Sequence, residues 1–266
     1  MARFSGQVAW VTGGGTGIGA ACARELAHQG CKVAVSGRRA DRLEEVVAQI
    51  VAAGGEALAV PCDVLDGAEL DAAVATILAR WGRLDVALAN AGYGVAGKVG
   101  KLSVADWQRQ FDVNVFGALR TVYAAMPALV LSRGRIGLVG SVMAYVTLPG
   151  NGAYAASKHA VRCIGETLAG ELHGSGVSCT TLHPGFVESE IGQVDNAGRH
   201  DGGRKDPRPA ALMWTGEQAA RVMVRALHRR RRQFVFTAHG RFAVLFARFF
   251  PGLFFLLTRG GRGTRG

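Results

Sequence analysis

Gln7 to Gly19 reads QVAWVTGGGTGIG, and the architecture of the chain can be worked out from these residues. An apolar run of strand length ends at Thr12, passes through a cluster of glycines and enters the helical pattern ACARELAHQG. Glycines at such a turn let the backbone bend sharply and approach a ligand closely, while the helix N-terminus offers free N–H groups at the positive end of its dipole. A dinucleotide pyrophosphate suits that site. Because the run follows a strand, opens a helix and begins a βαβ unit, it has the context that separates the motif from an ordinary glycine-rich turn. Its candidate cofactor contacts are Gly13, Gly15, Thr16, Gly17, Ile18 and Gly19.

Outward from this turn the chain alternates short apolar runs with longer helical patterns. Strands are predicted at 7–13, 32–37, 56–64, 84–92, 135–141, 177–185 and 233–238, and helices at 17–29, 39–53, 67–80, 103–131, 152–173 and 215–229. The strands are apolar throughout, which implies burial on both faces, and the interposed helices supply the crossovers that parallel strands require. The pattern predicts an α/β fold: one doubly wound parallel sheet of the Rossmann type in a single domain. Residues 1–238 form that body, with a polar stretch at 189–214 expected to act as a lid, and 239–266 form a tail.

Composition supports a folded body. The chain has 266 residues, of which 49% are apolar, enough for a sizeable core. Its formal charge of +11 is not spread evenly, because residues 1–217 carry 20 basic and 20 acidic side chains, whereas 218–266 carry 11 arginines and no acid. The excess is a basic end on a neutral body, which argues against nucleic acid as a partner. Five scattered cysteines, never in CxxC spacing, argue for reduced and mostly buried thiols and against a metal site. The N-terminus lacks the charged and apolar segments of a secretory signal, so a cytoplasmic location is expected.

The end of the second strand selects between the two nicotinamide dinucleotides. A carboxylate there would bond a ribose 2′-hydroxyl and repel a 2′-phosphate, but Ser36, Gly37, Arg38 and Arg39 offer positive charge instead. NADP is expected over NAD, with Arg38 the stronger candidate because Arg39 can point away.

Tyr154 to Lys158 reads YAASK in a helix whose apolar or small residues at 153, 156, 160, 161, 164, 168 and 172 form a buried stripe. Tyr154 and Lys158 lie about 40° apart at its edge, so both can reach one cleft. Lowering a phenol from about 10 to near 7 needs about 4 kcal/mol. One ammonium near 4 Å at an effective dielectric of about 20 supplies that amount. Tyr154 is therefore expected to exchange protons near neutral pH.

Together, TGGGTGIG, Asp63, Asn90-Ala91-Gly92, Asn114 in FDVNVFG, Ser141, YAASK and HPGFVES resemble the short-chain dehydrogenase/reductase family in order and spacing, over roughly residues 5–238. The resemblance implies a general acid/base at Tyr154, a lysine at Lys158 that lowers its pKa and holds the nicotinamide ribose, a serine at Ser141 that binds the reacting oxygen, and Asn114 in a proton relay. It further implies that Asp63 and Val64 face the adenine, that Asn90, Ala91 and Gly92 meet the cofactor at a strand end, and that Pro184, Gly185, Val187 and Ser189 surround the nicotinamide. Ala89 and Ser189 depart mildly from the family pattern, and Ser189 keeps a hydroxyl. The implied activity is hydride exchange between NADP(H) and a carbonyl or secondary alcohol, in a homodimer or homotetramer, with reduction the expected direction. The same fold could instead sense NADP without turnover. Met143, Tyr145 and Phe186, with Leu148, Tyr93 and Ile191, are candidates for an apolar substrate wall, and equally for core or loop packing.

The tail contains FAVLFARFFPGLFFLL, Phe242 to Leu257, too short and too interrupted to span a bilayer. Packing at a subunit interface or over the cleft, in-plane adhesion to an anionic membrane, and a disordered basic end all remain open.

Overall fold

The computed structural model describes residues 2–199, 203 and 208–259. Seven strands, β1 (Val8–Thr12), β2 (Lys32–Ser36), β3 (Glu56–Ala59), β4 (Val86–Ala89), β5 (Arg135–Val139), β6 (Ser178–His183) and β7 (Gln233–Val235), form one sheet in the order β3-β2-β1-β4-β5-β6-β7. Every neighbouring pair is parallel. The doubly wound sheet predicted from the apolar runs is therefore present.

Helices α1 (Gly17–His28), α2 (Ala40–Ala52) and α7 (Gly216–His228) cover one face, and α3 (Gly67–Trp81), α5 (Gly117–Ser132) and α6 (Gly152–Glu171) cover the other. The pleat divides β1 between the two cores, since Ala9 and Val11 pack with the first layer while Val8 and Trp10 pack with the second. A strand serving two cores has no polar face, which explains why its sequence never alternates. Between β1 and β4 the connections run in opposite directions, and a crevice opens beyond the C-terminal ends of these strands.

Three boundaries differ from expectation. Strand β3 ends at Ala59, although the N–H groups of Val60 and Cys62 still donate to the carbonyls of Val35 and Gly37 at 2.9 and 3.2 Å; Pro61 between them turns its nitrogen to the open edge of the sheet, where no donor is needed. The helix expected over 103–131 is two, α4 (Val104–Phe111) and α5, joined by a π-helical turn at Asp112–Phe116. Thr237, at φ 73°, ends the last extended segment and caps a helix not anticipated in the tail, α8 (Ala238–Phe249), which is followed by α9 (Pro251–Thr258).

Candidate active site

The glycine turn is built by close approach. Gly13 has φ +62°, and a Cβ there would lie 2.8 Å from the Ala91 Cα. Asn90 fixes the approach, its Nδ2 donating to the carbonyls of Thr12 and Gly13, each at 3.0 Å. The end of β4 is thereby fastened to the turn that opens α1. At Gly17, also at positive φ, a Cβ would come within 3.2 Å of the Ser189 side chain. No room is left there for side chains, which fits a turn that receives a ligand along its backbone.

A cavity of about 430 Å³ lies over this turn. Gly13, Gly15, Thr16, Gly17, Ile18 and Gly19 line its floor, with Asn90, Ala91 and Gly92 beside them. At one end are Ser36, Arg38, Arg39, Asp63 and Val64, and at the other Tyr154, Lys158, Pro184 and Ser189. The elongated cleft, glycine floor and helix N-terminus fit a dinucleotide.

Arg39 turns inward, contrary to the expectation that it can point away. Its guanidinium is 2.6 Å from Glu190 across the cleft, and it also donates to the Thr16 hydroxyl at 3.4 Å. Arg38 reaches the Gly198 carbonyl at 3.4 Å. Both arginines thus tie the second strand end to the loop after β6. Ser36 is committed to the interior, its Oγ accepting from the Trp10 indole at 2.8 Å. Asp63 forms a local turn by accepting the Leu65 N–H at 3.0 Å.

Beyond the end of β5, Ser141 caps a short 3₁₀ turn, its Oγ accepting the Met143 N–H at 3.1 Å. Lys158 is buried, donates to the Val139 carbonyl at 2.8 Å and lies 5.7 Å from the centre of the Tyr154 ring. Burial brings its ammonium down to about 8, so it stays largely charged at neutral pH. The Tyr154 phenol moves the opposite way from expectation. Burial raises it above its ordinary value, while the hydroxyl of Ser141 and the charge of Arg208 pull against that shift without reversing it. In the protein alone, desolvation outweighs the charges, and Tyr154 is a protonated donor at neutral pH.

Asn114 belongs to the π-helical turn and is buried. Its Oδ1 accepts the Tyr93 N–H at 3.0 Å, while its Nδ2 donates to the Tyr93 carbonyl at 3.0 Å and the Ser157 hydroxyl at 3.1 Å. Both donors are used, and one acceptor lone pair of the amide oxygen is left. The widened turn sets this side chain between the loop after β4 and α6.

Several sequence candidates lie elsewhere. Tyr145 does not line the cavity: its hydroxyl donates to Gln233 at 3.1 Å, and its ring packs edge-on against His183 and under Arg162. Phe186 stacks on His239, and its N–H donates to the His239 Nε2 at 3.1 Å. Met143, Leu148, Gly185 and Val187 are also outside the lining, Val187 being buried beneath it, whereas Tyr93 and Ile191 are within it. Ser141 lies just behind the surface, next to Tyr154.

Residues that sequence reasoning passed over include Arg42, Glu190 and Arg109 in the lining, and Arg208. Arg208 donates to the carbonyls of Val187 at 2.9 Å and Ser189 at 3.1 Å, bracing the strand end beside Tyr154. Asn196 exchanges two hydrogen bonds with Ala96, at 3.0 and 2.9 Å, clipping the polar loop over the cleft. Arg42 follows Arg39 by one helical turn and was discoverable from that spacing. Nothing in the loop's composition points to Arg208 or Glu190.

Comparison with known proteins places this geometry in a class. Residues 7–200 match the short chain dehydrogenase family. A crystal structure of a short chain dehydrogenase/reductase from Burkholderia phymatum in complex with NAD superposes with a TM-score of 0.84 at 28% identity, covering 95% of this chain and 96% of that one. A short chain dehydrogenase from Burkholderia cenocepacia J2315 in complex with NADP gives 0.78 at 30% identity, over 90% and 99%. In sequence, the chain is 35% identical over 199 residues to a 3-oxoacyl-[acyl-carrier-protein] reductase of Synechocystis, covering 74% of this chain and 81% of the relative. It is 32% identical over 212 residues to an uncharacterized oxidoreductase of Staphylococcus aureus strain N315, covering 79% and 90%. The chain belongs to the short-chain dehydrogenase/reductase family. It is a cofactor-dependent oxidoreductase of that family.

Proposed function

We propose that the protein reduces the carbonyl group of a hydrophobic small molecule with NADPH, and runs the reverse oxidation of the secondary alcohol. The observation that carries this reading is that Tyr154 and Lys158 line the same cavity as the glycine turn, with the phenol kept protonated by burial. The turn from Gly13 to Gly19 would hold the diphosphate, Asp63 and Val64 the adenine, and Pro184 and Ser189 the nicotinamide end. When bound, the dinucleotide supplies the hydride.

The residues of the chain do the rest. Ser141 and Tyr154 donate hydrogen bonds to the substrate carbonyl oxygen, and Tyr154 gives up its phenolic proton as negative charge develops there. Lys158 places a positive charge behind the phenol and stabilises the phenolate left by that transfer. Asn114 holds the loop after β4 in register with α6 and has one lone pair left for a water in a proton relay. The preference for NADP rests on Arg38, Arg39 and Arg42 gathered at the second strand end with no carboxylate from that strand. Tyr93 and Ile191 give the substrate side an apolar character, in keeping with a hydrophobic ketone, aldehyde or alcohol. A relative named for reducing a 3-oxoacyl group supports carbonyl reduction as the direction.

The test is turnover of a panel of apolar ketones and aldehydes with NADPH and with NADH, followed by loss of nicotinamide absorbance. Tyr154→Phe should abolish turnover while cofactor still quenches protein fluorescence. Undiminished turnover by that variant overturns the assigned role, and equal use of NADH overturns the cofactor preference.

A further inference from the structure

The last two helices leave the body of the protein with an apolar face that nothing in the chain covers among the described residues. Phe242 and Phe249 on α8, and Phe255 and Leu257 on α9, each expose about two-thirds of their surface, between 64% and 68%. The pair is nonetheless a built unit. Phe246 stacks on Phe242 at 5.7 Å and meets Phe254 edge-on at 6.3 Å, joining the helices across a bend of 117°. At 1.5 Å per residue, helices of 12 and 8 residues are about 18 and 12 Å long. Neither reaches the ~30 Å of a bilayer core, and the bend prevents them from adding up to a span. Such a pair can lie on a membrane but not cross it.

Charge selects the occupant. Arg248 lies on the exposed stripe of α8 with Leu245 and Phe249, while Arg241, beside Phe242 at the start of the helix, is exposed but donates through Nε to the Val235 carbonyl at 2.9 Å. From 218 to the end the sequence has arginines but no acid. A second copy meeting this face through a twofold axis would bring two surfaces with arginines and no carboxylate together, and neither could give the other's guanidinium groups an ion pair. An anionic lipid surface offers the complementary arrangement, with phosphates for the guanidinium groups and an acyl boundary for the rings.

We propose that α8 and α9 form an in-plane membrane-binding module that docks this protein on an anionic bilayer. Its root packs against the segments that follow β5 and β6, outside the lining of the cleft. A Cβ on Gly240 would lie 2.8 Å from the Val142 side chain, and His239 holds Phe186 by stacking and by its hydrogen bond. The lipid assignment itself stands on the face and its charge, independently of the reaction proposed above.

Flotation of the full chain with vesicles of phosphatidylglycerol mixed with phosphatidylcholine, and with phosphatidylcholine alone, tests the proposal. The protein should rise with the first and remain below with the second, and added salt should weaken the association. The double variant Phe249→Asp, Phe255→Asp should lose the vesicle-bound fraction about tenfold or more, from the loss of two buried rings. Its circular dichroism should remain that of the wild type. The lipid-charge dependence of the wild type needs no variant, so a misfolded variant does not shield the proposal. Failure of the wild type to float with anionic vesicles overturns it, as does flotation indifferent to lipid charge or undiminished in a folded double variant. A wild-type dimer that the double variant converts to monomer, without flotation, gives the face to a second copy and overturns it as well.

Discussion

His183 is fully buried behind the candidate serine, with its Nδ1 3.1 Å from the Ser141 carbonyl and its Nε2 without a hydrogen-bond partner among the described residues. Burial lowers its pKa from 6.5 to about 4, and the neutral ring donates through Nδ1. Between those pH values the unfolded chain takes up a proton that the native state refuses, so stability falls as pH falls through this window. The loss should approach 3 kcal/mol, to order of magnitude, at the acid end. Urea unfolding on either side of the window should show it, and His183→Asn should flatten the dependence. At the other end of the cleft, Glu190 competes with any 2′-phosphate for Arg39. Glu190→Gln should tighten NADPH binding several-fold and leave NADH nearly unchanged, whereas Arg38→Asp should weaken NADPH about tenfold, the worth of one charge-assisted hydrogen bond. Fluorescence titration with both cofactors measures each.

The β1–α1 turn concentrates what the sequence made legible. Its glycines, and the YAASK helix, are local patterns whose function follows from spacing within one element. Gly13→Ala should cost about 1–3 kcal/mol, since it forces a side chain into positive φ against Ala91. It should also weaken cofactor binding. At the start of α7, Thr215 accepts the Gln218 N–H at 3.2 Å in a capping box. Thr215→Ala should cost about 1 kcal/mol in urea unfolding and leave kcat unchanged, which separates a structural loss from a functional one. The π-helical turn carrying Asn114 was not legible, because one extra residue in a helical period disturbs an apolar stripe too little to register. Tyr145 and Phe186 were misplaced for a related reason. They follow residues at strand ends that do face the cleft, but nearness in sequence does not fix which way the next turn points a ring.

Across the molecule, cofactor binding should stabilise the fold by closing contacts between the glycine turn, the β2 end and the loop after β6. At a concentration a hundred times Kd the gain is about 2.7 kcal/mol, equivalent to several degrees in Tm for a chain of this size. Thermal unfolding with NADPH and with NADH would rank the two directly. The sheet itself was legible because buried parallel strands need unbroken apolar runs, but the Arg208 brace and the Arg39–Glu190 pair join segments more than a dozen residues apart through an irregular loop. Only the fold brings them together. The strand order also governs how the chain must assemble. β1 pairs with β4 through Ala9 and Val86, 77 positions apart. At ribosomal rates of roughly 5–20 residues per second, one edge of the first strand stays bare for roughly 4–15 s after it is made. During that interval a nascent chain carries an apolar ladder open to its neighbours, so yield in crowded expression should depend on chaperone supply more than on the stability of the finished protein.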